Sequence, residues 1–284
     1  MLAVGPRYRA PMATTETDEY ILGTDREELE RLRLQHAVWT EAQHELMDEG
    51  RLRAGERVLD LGCGPGFTTF ELAQRVGPTG KVLASDQSAR FLEFLRRESA
   101  HLGCTWVETV LGPVEELALP PASLDAAYAR WIFCWLADPL AALERVRAAL
   151  RPGGRLLVQE YLNWSTMRAY PTTPACLRMV EAGLASWKDS GIAIDFAARL
   201  PELAPQTGFV LEHFRPRARL GGVGSMEWRW ISEFYRVYYP KLVERGLLSA
   251  QEYADWKSDW ARREREGGSW LATPTMADVV LRKV

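Results

Sequence analysis

The densest chemical signal in the chain is a run of nine residues, Val58-Leu59-Asp60-Leu61-Gly62-Cys63-Gly64-Pro65-Gly66, with the pattern D-x-G-x-G-x-G. It stands between an apolar stretch and a helix-like one. Glycines at such a turn let the backbone bend sharply and approach a ligand, while the amides opening the next helix face it. A purely structural strand-to-helix turn is the plainer alternative. Spacing sorts the cofactors such a loop would take. A dinucleotide fingerprint needs G-x-G-x-x-G, but its third glycine falls on Phe67 counted from Gly62 and on Thr69 counted from Gly64. A P-loop needs G-x-x-x-x-G-K-[ST], and Gly80-Lys81 is preceded by Arg75 at the first position and followed by Val82. Both readings fail.

Residues able to move a proton are fewer. The four histidines are His36, His44, His101 and His213. His101 ends a surface helix and His213 lies inside an expected strand, which makes both structural. His36 sits on an N-terminal helix near the presumed site. Glu160 and Tyr161 close a later strand, where ligands approach open α/β sheets. These three are the weak candidates for catalysis, and for Glu160 the alternative is a strand-end carboxylate exposed to water. Cys63, Cys104, Cys134 and Cys176 form no CxxC pair and share no ligand spacing with histidine, so no metal is expected and the thiols are expected free.

The elements that must position these groups alternate. Residues 25–47 read as a helix closed by Gly50, followed by apolar runs at Arg57–Leu61, Lys81–Asp86, 105–111, 124–129 and 155–161. Helical stretches at 70–76, 88–101 and 139–150 separate them. Continuous apolar strands joined by helices are the mark of a parallel sheet covered on both faces. The fold class is therefore α/β, doubly wound. Beyond residue 161 the pattern predicts helices at 174–190 and 196–207, a strand at Phe209–Arg217, aromatic helices at 225–245 and 249–266, and a last strand at 277–283. The expected division is 1–50 as N-terminal segment and leader helix, 51–220 as core, 221–276 as helical insertion and 277–284 as the last core strand.

Composition narrows the setting. The 284 residues carry 35 basic and 38 acidic side chains, a net charge of −3, with 47% hydrophobic residues. That balance fits a soluble globular protein and argues against a phosphate backbone as main partner. No apolar run nears the roughly 20 residues of a membrane span, and residues 1–19 lack a basic-then-apolar signal pattern, so a cytoplasmic location is expected. Eleven tryptophans are unusual, seven of them from Trp164 onward. The late aromatics, among them Trp228, Trp230, Phe234, Tyr235, Tyr238, Tyr239, Trp256 and Trp260, read either as a cap packing its own core or as a lid over an apolar acceptor.

Asp60 to Gly66 resembles motif I of the class I S-adenosylmethionine-dependent methyltransferases. Asp86, twenty residues after Gly66, stands where that superfamily keeps its ribose-binding acid. Leu124-Asp125-Ala126-Ala127-Tyr128 with Ala129-Arg130-Trp131 resembles the fourth-strand motif, and Leu150-Arg151-Pro152-Gly153-Gly154 with residues 156–160 the fifth. The resemblance covers about residues 55–161 and extends weakly to residues 20–23 and 28–35. It implies a Rossmann-like sheet of seven strands, S-adenosylmethionine as cofactor and S-adenosylhomocysteine as product. It places Tyr20, Gln35, Gly62, Cys63, Gly64, Asp86, Gln87, Val114, Glu115, Arg130 and Trp131 at the cofactor. The carbonyl of Arg130 would serve the methionyl ammonium, with Trp131 beside the sulfonium. Relatives read Gly-Asp-Ala-Glu after the third strand, whereas here Pro113 replaces the acid, leaving the Val114 amide and Glu115 for the adenine. The function implied is methyl transfer to a small apolar or aromatic acceptor. Base-amino methyltransferases usually carry [DNS]-P-P-[YFW] after the fourth strand, which is missing here. Nucleic-acid or protein methylation, or a non-catalytic cofactor-binding module, are the alternatives.

Overall fold

A computed structural model describes residues 26–284. Tyr20 lies outside them. The described residues open with helix α1 (Arg26–Glu49), then alternate β1 (Arg57–Leu61), α2 (Phe67–Val76), β2 (Lys81–Asp86), α3 (Ala89–His101), β3 (Val107–Leu111), β4 (Leu124–Arg130), α4 (Pro139–Ala149) and β5 (Leu150–Asn163). After β5 come β6 (Arg168–Tyr170), α5 (Pro174–Asp189), α6 (Leu200–Gln206), β7 (Phe209–Arg217), β8 (Leu220–Gly222), α7 (Met226–Glu244), α8 (Ala250–Glu266), β9 (Trp270–Ala272) and β10 (Thr275–Lys283). The main sheet has seven strands in the order β3-β2-β1-β4-β5-β10-β7. β10 runs antiparallel to both neighbours, and the first five strands are parallel. The order reverses between β1 and β4, which opens a crevice at their carboxyl ends.

Alternation along each strand divides the core. Leu59, Leu61, Ala127, Ala129, Leu156 and Val158 face one layer; Val58, Ala126, Tyr128 and Leu157 face the other. All of them are buried, which is why these strands read as continuous apolar runs. α1 serves both layers: Val38, Trp39 and Ala42 pack with the first, Leu46 and Met47 with the second. The edge beyond β10 is tied back to α1 by ion pairs of Arg217 with Asp278 and Glu45.

The expected helix at 196–207 is two pieces, a 3-10 turn (Phe196–Arg199) and α6. Pro201 in the first turn of α6 lacks an N–H, which suits a helix start and not a helix middle. A second sheet, β6-β9-β8, comes from three-residue strands that the sequence reading passes over.

α5, α7 and α8 with this small sheet form a cap whose interior is aromatic. Trp228 and Trp260 stack at 4.2 Å, Tyr235 meets Tyr239 at 4.6 Å and Trp256 at 5.3 Å, and Trp164 meets Trp187 at 4.7 Å. Such pairs add about 0.5–1.5 kcal/mol each beyond the area they bury. The buried Arg263 of α8 is paired with Asp259 at 2.8 Å and donates to the carbonyl of Pro171 at 2.6 Å, so the cap's one deeply buried cation is fully engaged.

Candidate active site

A cavity of about 770 Å³ opens at the carboxyl ends of β1, β2 and β4, within the usual size range for a small-ligand site. Its floor is the glycine loop. Gly62 has φ +65°, and a Cβ there would stand 2.1 Å from Cδ1 of Ile132, so any side chain would be strained and would have to displace Ile132. Gly64, with φ +53°, has nothing within 4 Å of where a Cβ would point. That space belongs to the cavity.

Asp86 ends β2 on the cavity wall. Its Oδ2 accepts the Gly64 N–H at 2.8 Å and its Oδ1 accepts the Ser88 N–H at 2.8 Å. Asp86 thus fastens the glycine loop to the start of α3, a structural duty the motif alone does not reveal. Each carboxylate oxygen has a further lone pair for a ligand hydroxyl, and burial pushes the carboxyl above its ordinary value. Asp60, fully buried on β1 and also on the wall, accepts the Thr69 hydroxyl at 2.6 Å; burial raises it to about 6. A close backbone approach over Gly64 fits the amino-acid arm of S-adenosylmethionine, and the paired-oxygen acceptor at Asp86 fits its ribose. Pro113, Val114 and Glu115 line the same cavity.

Trp131 stands at the turn between the two halves of the site. Its φ is +52°, a strained value for a bulky side chain. Four contacts hold it there: its N–H donates to the Gln159 carbonyl at 3.1 Å, its indole N–H points to Met276 Sδ at 3.2 Å, and Trp39 and Trp230 meet its ring at 6.3 and 6.0 Å. Beyond it the wall becomes apolar, with Ile132, Trp135, Leu136, Ile192, Phe234 and Tyr238. Phe234 and Tyr238 stack at 5.4 Å, and the Tyr238 hydroxyl meets the Ser186 hydroxyl at 2.9 Å. Most cap aromatics pack inward instead; Trp228, Trp256 and Trp260 do not line the cavity.

Of the residues the resemblance places at the cofactor, Gln35, Gly62, Cys63, Gly64, Asp86, Gln87, Val114, Glu115, Arg130 and Trp131 all lie on the cavity wall. Gln35 is also a bridge. Its Oε1 accepts from Arg31 at 2.9 Å and from the Trp230 indole at 3.1 Å, joining α1 to α7. The Cys63 thiol is buried and pushed well up by burial, which makes it a packing group.

The three candidate catalytic residues are not on that wall, and the physical reasons differ. Glu160 is fully buried and not exposed to water; Oε1 accepts the N–H groups of Ile132 at 2.7 Å and Phe133 at 2.8 Å. It braces the strained turn after Trp131 from beneath, and burial raises its carboxyl to about 7. Tyr161 is buried behind Trp131, 5.8 Å ring to ring, and 4.8 Å from Trp164. His36 lies between α2 and Arg130, with Nδ1 3.1 Å from an Arg130 nitrogen and its ring 5.8 Å from Phe67; burial lowers its pKa. Sequence reasoning missed Trp135, Ile192 and Phe67 on the wall, for which no motif exists.

Among the described residues no helix is long and apolar enough to cross a membrane, and no group of three or more His, Cys, Asp or Glu could hold a metal ion. The chain is 34% identical over 171 residues to an uncharacterized 37.1 kDa protein in a transposon of Streptomyces fradiae, covering 57% of this chain and 49% of that one. It is 34% identical over 127 residues to the ubiquinone/menaquinone biosynthesis C-methyltransferase UbiE of Hahella chejuensis, covering 44% and 50%. The chain thus spans about half the length of the curated relatives it matches. Geranyl diphosphate methyltransferase, solved with GPP and sinefungin, aligns with a TM-score of 0.56 at 16% identity, over 88% of this chain and 79% of that one. At that identity the likeness shows a shared fold. The family described as a methyltransferase domain matches residues 52–201, more than half of the 284 residues, and the chain belongs to that family.

Proposed function

We propose that this protein transfers the methyl group of S-adenosylmethionine to a small apolar or aromatic acceptor by in-line displacement. The observation that carries the reading is one cavity with two unlike halves meeting at Trp131: a glycine-floored polar end with Asp86, and an apolar end with Trp135, Phe234 and Tyr238. When bound, the cofactor supplies a methyl group already activated as a sulfonium. The chain's work is to hold, orient and exclude water. Gly62 and Gly64 leave room for the amino-acid arm, Asp86 accepts the ribose hydroxyls, and the Val114 amide with Glu115 serves the adenine in place of the acid that Pro113 displaces. Trp131 fixes where the reacting carbon stands, and Phe234 and Tyr238 press the acceptor toward it. Positioning of this kind supplies on the order of 7–11 kcal/mol.

Aromatic walls suit a flat or apolar acceptor. The net charge of −3 weighs against a nucleic acid, and a cytoplasmic, small-molecule setting accords with the sequence. The test is incubation with methyl-labelled S-adenosylmethionine and a panel of phenols, aromatic amines, prenyl compounds and short oligonucleotides. Label in a small apolar or aromatic product supports the reading; label only in the oligonucleotides, or tight cofactor binding with no transfer to any acceptor, overturns it.

A further inference from the structure

Arg130 ends β4 on the cavity wall, and its side chain is fixed with unusual care. One terminal nitrogen donates to Gln43 Oε1 at 3.2 Å, and the other donates to His36 Nδ1 at 3.1 Å; both partners sit on α1. The guanidinium carbon lies 5.1 Å from the centre of the Trp131 ring. Arginine only donates, so His36 Nδ1 is the accepting nitrogen and the ring proton sits on Nε2, which faces Glu71 at 3.7 Å. Two uncharged acceptors therefore set the orientation of a permanent cation. Among the described residues no carboxylate stands within ion-pair distance of it, and Asp60 on the same wall feels the Arg130 charge.

A part-buried guanidinium oriented by neutral groups retains both charge and N–H donors for an anion in the cavity. Its planar fork matches a carboxylate through paired hydrogen bonds. Asp60, on the neighbouring strand β1, places the opposite charge on the same wall. A cation and an anion on adjacent strand ends suit a zwitterionic amino-acid group, with carboxylate toward Arg130 and ammonium toward Asp60.

We infer that the Arg130 side chain, set by His36 and Gln43, holds the carboxylate of the cofactor's amino-acid end. This rests on the S-adenosylmethionine reading proposed above. It gives Arg130 a role beyond its backbone carbonyl. It also makes His36 a positioning residue and not a base: a proton on Nδ1 would remove the acceptor and set a like charge against the guanidinium.

The experiment is calorimetric titration of the whole chain with two probes: S-adenosylhomocysteine, and its decarboxylated counterpart in which hydrogen replaces the carboxylate. A charge-assisted contact of this kind is worth roughly 10- to 100-fold in affinity. The wild type is expected to prefer the carboxylate probe by about that factor. Arg130→Gln abolishes the preference by weakening S-adenosylhomocysteine while leaving the decarboxylated probe unchanged. His36→Ala reduces the preference, and His36→Asn, whose amide oxygen can stand where Nδ1 stood, restores most of it. An undiminished preference in Arg130→Gln, or equal weakening of both probes, overturns the inference. If thermal melting shows Arg130→Gln unfolded, Arg130→Lys and His36→Ala decide: full preference retained in both overturns it, and a reduced preference in either supports it. A wild type that binds neither probe overturns the cofactor reading itself, a result distinct from these.

Discussion

The two halves of the cavity are built by different means. At the glycine-loop end the cavity floor is backbone: Gly62 and Gly64 at positive φ, held by the Asp86 carboxylate through the Gly64 N–H and tied to the Ser88 N–H. At the cap end the surface is side chain: Phe234 and Tyr238 present one face to the cavity, and a shell of buried indoles and phenols stands behind them. Under the proposed function, backbone geometry cannot drift without losing the cofactor, whereas an aromatic wall can be repacked for a different acceptor at modest cost. Within one fold, the fixed chemistry and the adjustable chemistry are thus separated along the cavity, with Trp131 at the boundary.

That separation predicts stability losses without binding losses on one side and predominantly binding losses on the other. The largest effect is expected from Trp260→Ala. Its indole is buried, stacks on Trp228 and donates to Ser232 at 2.7 Å. About 3–5 kcal/mol of stability should be lost in chemical denaturation, while the folded fraction keeps its S-adenosylhomocysteine affinity within about twofold. Strong loss of cofactor affinity in that variant would show that the two ends of the cavity are not separate. Gly64→Val should strike binding harder than stability. Positive φ costs on the order of 1–3 kcal/mol, and the side chain enters cavity space, so titration should find cofactor binding down by more than about 30-fold in a chain that still melts cooperatively.

A third prediction concerns Glu160. Burial raises its carboxyl from 4.5 to about 7, so the folded chain binds this proton more tightly than the unfolded one. The stabilisation from that proton is complete below pH 4.5 and is lost as pH climbs to about 7. Asp60, raised to about 6, slopes the same way, while Glu71, lowered to about 2 by its histidine partners, acts only below pH 4.5. Glu160→Gln should therefore flatten the fall in denaturation midpoint between pH 5 and 7.5; parallel profiles for variant and wild type would contradict the burial argument. The smallest effect belongs to the acceptor wall. Phe234→Leu removes one aromatic face, worth about 1 kcal/mol, and should shift KM for an aromatic acceptor several-fold without moving cofactor affinity.

The same division decides what could be read in the amino-acid order. The sheet was legible because its strands are continuous apolar runs, and the glycine loop because a ligand-hugging turn restricts residue type at fixed spacing. α2 begins three residues earlier than the pattern suggests because Phe67, Thr68 and Thr69 carry no clear periodicity, although both threonines are buried. Glu160 shows the limit. A carboxylate at a strand end looks solvated in sequence, and only the fold shows the Ile132 and Phe133 amides closing on it. His36 and Arg130 stand 94 residues apart, and Gln35 and Trp230 stand 195 apart. No local pattern encodes such pairs. The cap is likewise assembled from segments on both sides of β7, so α5 joins α7 and α8 only in three dimensions.

Whether the glycine-loop end holds S-adenosylmethionine is decided by titrating S-adenosylhomocysteine into the wild type and into Asp86→Ala. Saturable one-to-one binding is expected in the wild type, weakened at least about tenfold by the variant. No binding in the wild type, or undiminished binding in Asp86→Ala, would contradict it.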